Sequence, residues 1–75
     1  MSDQGLEQEL QAASEAVRDA NGLVRHQEAE VIRMREAGLN TQQAEALLAA
    51  YRDGVRFATE RRKALEELAR LRWRP

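Results

Sequence analysis

Few residues of this chain could carry chemistry. His26 is the single histidine, and with Glu30 one helical turn away it could share a metal ion, but two ligands are too few for a structural site. The hydroxyls of Ser2, Ser14, Thr41 and Thr59 have no histidine placed to activate them as nucleophiles. No glycine loop of phosphate-cradling spacing occurs. The sequence has no cysteine, which removes disulfides and thiolate metal sites. We therefore expect no catalytic residue, no cofactor, no metal and no small-molecule substrate.

The other chemistry on offer is charge. Arg56, Arg61, Arg62, Lys63, Arg70, Arg72 and Arg74 crowd the C-terminal stretch, offset there only by Glu60, Glu66 and Glu67. Arginine's forked donors suit phosphate, and Trp73 could stack on a base. Against that, the net charge is −1, which argues against a nucleic-acid binder working by bulk charge. A less specialised use is pairing with the first half of the chain, which carries an excess of acids.

The elements that would position these groups follow from hydrophobic spacing. Leu6, Leu10, Ala13, Val17, Ala20, Val24, Gln27, Val31 and Met34 alternate steps of four and three, a coiled-coil seam with one polar member. Gly22 falls inside this run, where it costs about 1 kcal/mol relative to alanine; it is expected to mark a bend or a close approach of another helix. The run stops at Gly38, which can adopt the left-handed conformation that ends a helix, with Leu39 packing back on the last turn. Asn40 then suits an N-cap, with Gln43 three residues later in a capping-box-like pair. In the second segment Ala44, Leu48, Tyr51, Val55, Ala58, Leu65 and Ala69 repeat the spacing, broken by Arg62.

The reading is all-α: an antiparallel two-helix coiled-coil hairpin forming one domain over residues 1–75, with helices over about 4–37 and 41–73 and a turn at 38–40. Residues 1–37 hold eight acids and four bases, while residues 38–75 hold five acids and eight bases, so the halves are complementary. Equal rise per residue places residues whose numbers add to about 79 at one level. Val31 then meets Leu48 and Val24 meets Val55. Glu9 lies level with Arg70, Glu7 with Arg72 and Glu15 with Lys63, and the Gln27 amide falls beside the Tyr51 hydroxyl.

A two-helix hairpin covers each helix on one side only. Ala12, Ala16, Leu23, Leu47, Gly54, Phe57 and Leu68 lie off the seam in one rotational sense, which for antiparallel helices means one side of the hairpin. We expect this face to bind a second copy, making a homodimeric four-helix bundle, or a helix of another protein. Ile32 stands on the opposite flank, and Arg70, Arg72, Trp73 and Arg74 form a possible contact set at the far end. The architecture is similar to that of small helical-hairpin dimers, although no residue motif carries the likeness.

The function expected is a small non-enzymatic protein-interaction module, such as a phage or bacterial regulator or inhibitor acting by stoichiometric binding. Eleven arginines to one lysine is compatible with a bacterial or phage source of high GC content. One alternative is an RNA- or DNA-binding helical dimer using the basic second helix; another is a structural coiled-coil assembly subunit. No stretch approaches the roughly 20 apolar residues of a membrane span, and the acidic, polar start is unlike a signal peptide. The location expected is therefore cytoplasmic.

Overall fold

The computed structural model describes residues 4–73. Two long helices, α1 (Gln4–Glu36) and α2 (Gln42–Arg72), fold back on one another as an all-α hairpin. The molecule is a rod of 59 × 16 × 14 Å. No helix among the described residues is long and apolar enough to cross a membrane.

The spacing of the apolar residues explains what is covered. Every expected seam position in α1 is buried or half-buried, from Leu6 to Met34, and so is every one in α2, from Ala44 to Ala69. The buried core is thin: Leu6, Ala13, Val17, Val31, Leu48 and Ala69, with Gln27 as its one buried polar residue. Arg62 occupies a seam position half-buried, and its Nε is buried with no hydrogen-bond partner.

The turn forms as its residues dictate. Gly38 has φ +73°; its N–H bonds the Arg35 carbonyl at 3.0 Å, and the Leu39 N–H bonds the Met34 carbonyl at 2.9 Å. That pair of bonds is the Schellman closure, which needs a left-handed residue between them. Leu39 keeps more than half of its surface exposed, so its packing on the last turn is partial.

The start of α2 differs from expectation by one residue. The Thr41 carbonyl accepts the first helical bond from the Glu45 N–H at 2.8 Å. Asn40 still serves the helix start, its Oδ1 accepting from the Gln42 N–H at 2.9 Å. No capping box forms with Gln43: the Thr41 side chain makes no cap bond to the helix N–H groups, and its hydroxyl instead donates to the Glu45 carboxylate, one turn on, at 2.8 Å.

Three further expectations are corrected. A Cβ at Gly22 would meet nothing nearer than the Arg25 guanidinium at 4.0 Å, so no helix approaches closely there. Gln27 Nε2 donates to the Ala44 carbonyl at 3.0 Å rather than to the Tyr51 hydroxyl; the small methyl group of alanine leaves its carbonyl open to a seam partner. Glu9 and Glu15 do not pair with Arg70 and Lys63. Arg70 binds Glu67 and Lys63 lies 3.9 Å from Glu60, since a neighbour three residues away on the same helix is always within reach.

Candidate interaction flanks

The pairing of the two helices creates two flanks with different chemistry. On one flank the helices are joined near the turn by Arg35 to Glu45 at 2.6 Å and by Arg52 to Glu28 at 3.2 Å. In each pair the residue numbers add to 80, next to the value of about 79 that equal helical rise implies. These four charges line one open groove with Val31, Ile32 and Leu48. The two pairs are related by a local twofold, because Glu28–Arg35 and Glu45–Arg52 both read Glu-Ala-x-Φ-x-x-x-Arg, where Φ is Val31 or Leu48. Two antiparallel copies of one such segment must set each glutamate opposite the other's arginine. The signal was present in the sequence as a repeat of period 17. A reading built on seam positions alone passes over it.

Glu45 is the most constrained of these groups. The Thr41 hydroxyl first, and the Arg35 guanidinium second, hold its carboxyl below the ordinary glutamate value. Both partners favour the carboxylate form. Because its pKa in the folded chain is depressed, the contribution of this clamp is present above the ordinary glutamate range and is lost as pH falls through the lowered value.

The opposite flank is apolar and has no cross-helix ion pair among the described residues. Leu23, Leu47 and Leu68 retain 48%, 43% and 44% of their exposure, and Phe57 retains 76%. Ala12, Ala16 and Gly54 are also exposed. A Cβ built on Gly54 meets nothing within 4 Å. All seven residues expected on this face are thus at the surface of the hairpin. Phe57 is the most exposed of the large side chains among them, as its position about 60° further from the seam than Gly54 requires.

Three of the six described residues of the basic stretch form ion pairs within α2. Arg56 pairs with Asp53 at 3.3 Å, Lys63 lies near Glu60, and Arg70 binds Glu67. Trp73 caps the end of the helix, its backbone N–H bonding the Ala69 carbonyl at 2.9 Å, and its side chain is exposed. Arg74 lies outside the described residues. No family model, curated protein or solved structure matches the chain.

Proposed function

We propose that this chain is a protein-interaction module that works by stoichiometric binding of a protein helix along its apolar flank, with no catalytic role. The observation that carries the reading is the contrast between the flanks. One is bridged near the turn by two cross-helix ion pairs, whereas the other presents Leu23, Leu47, Leu68 and Phe57 along most of the rod. Apolar side chains in a row on a narrow helical surface suit a facing helix better than they suit water. A small rigid binder needs no pocket, only a few anchors in a water-excluding patch.

A photo-crosslinking residue placed at Leu47 or Leu68, and at Ile32 as control, tests this in the source cell. Covalent adducts with a protein from the first two positions and none from Ile32 are expected. Adducts with nucleic acid, or adducts only from Ile32, would refute the reading. Binding that falls steeply with salt and needs the α2 arginines would establish the nucleic-acid alternative in its place.

A further inference from the structure

The apolar flank carries charges as well as its leucines: by helical spacing Glu9, Asp19 and Glu30 on α1 and Arg61 and Arg72 on α2. Asp19 lies three residues beyond Ala16 and four before Leu23, and Arg61 lies four beyond Phe57 and seven before Leu68. Helical spacing therefore puts both on that flank, one on each helix. Their numbers add to 80, so they stand at one level. Neither has an ion-pair partner among the described residues. They face the same way from opposite edges of the flank and do not meet.

The surface area of the hairpin speaks to what covers them. The chain exposes 5779 Å² at a mass of 8.5 kDa, whereas a compact monomer of that mass exposes about 4,700 Å². The excess of about 1,100 Å² exceeds the roughly 800 Å² that each partner buries in a standard interface.

From these observations we infer that the flank is covered by a second copy of this chain, related by a twofold axis parallel to the helices. Both turns then lie at one end of a four-helix bundle. In that arrangement α1 of each copy rests on α2 of the other, and Asp19 faces Arg61 of the second copy at the same level, twice per dimer. Each acidic α1 has basic helices on both sides. Leu23 comes level with Phe57 of the second copy, so the two side chains share one apolar layer, and Leu68 comes level with Ala12. A twofold axis perpendicular to the helices would instead stack α1 on α1, acid against acid. The inference rests on reading the flank as a binding surface and adds the identity and orientation of its occupant.

Mass by light scattering, with affinity by sedimentation equilibrium, tests it on the full chain. Wild type is expected to be a dimer. Asp19→Arg and Arg61→Asp should each weaken it about five- to thirtyfold, two reversed contacts being involved. The double variant Asp19→Arg/Arg61→Asp should recover to within about threefold of wild type, with helicity by circular dichroism unchanged. A spin label on Glu36→Cys, near the turn, gives a readout independent of these variants. Turns at one end place the two labels below about 40 Å, given helix separations of 8–10 Å, and turns at opposite ends place them near the 59 Å length of the rod. A long label distance, a dimer strengthened by Asp19→Arg, or losses that add in the double variant would overturn the inference. So would a wild-type monomer at every concentration, which would leave the proposed function to be decided by the crosslinking result.

Discussion

Arg62 shows how a single residue can interrupt an otherwise regular seam. It sits where the spacing asks for an apolar side chain, half-buried, with a buried Nε that no acceptor satisfies. A buried donor without a partner costs about 1–3 kcal/mol. Leucine at this position removes the donor and extends the seam between Ala58 and Leu65. Arg62→Leu is therefore expected to raise the free energy of unfolding by about 1–2 kcal/mol. Urea denaturation followed by circular dichroism reads this directly, and an unchanged or lower midpoint would show that the guanidinium makes contacts worth keeping. Gln27, the other polar seam residue, differs because its amide has found the Ala44 carbonyl. Polar residues in a seam favour one register over its neighbours. The sequence showed that both positions were exceptional. It could not show which would be satisfied, because that depends on a carbonyl of the facing helix.

At the scale of elements, the two helices and the turn were legible in the sequence for a plain reason. Steps of four and three continue in α1 for nine positions, and Gly38 followed by Asn40 supplies a stop and a start in the right order. The ion pairs were not legible in the same way. Charges of complementary sign lay level along much of the rod, and which of them meet depends on side-chain reach and on competition from neighbours within the helix. The glycines separate the two kinds of information well. Gly38 holds φ +73° and no other described residue but glycine has a positive φ, whereas Gly22 lies in ordinary helix with open space where a Cβ would go. Gly22→Ala should therefore stabilise the hairpin by about 0.5–1 kcal/mol, and Gly38→Ala should destabilise it by about 1–2 kcal/mol. Equal effects of the two alanines in chemical denaturation would mean that the turn does not depend on the left-handed residue.

For the whole molecule the question is whether a rod this thin is stable alone. Its radius of gyration is 17.2 Å, against about 11 Å for a compact domain of the same length, so much of the chain that folds remains at the surface. If a second copy covers the apolar flank, dimerisation and folding are linked, and Tm must rise with protein concentration. Each tenfold increase contributes about 1.4 kcal/mol per dimer. Set against the unfolding entropy of two chains, that amounts to about 4 °C per decade. Leu47→Glu/Leu68→Glu should abolish the slope and lower Tm, because burying a carboxylate against a facing helix is more costly than leaving the flank in water. Calorimetry over two decades of concentration distinguishes the cases. A sloping wild type with a flat double variant assigns the flank to self-association. A wild-type Tm independent of concentration would show that Leu6 to Met34 against Ala44 to Ala69 suffices to hold the hairpin, and the flank would then be open to a partner of different sequence.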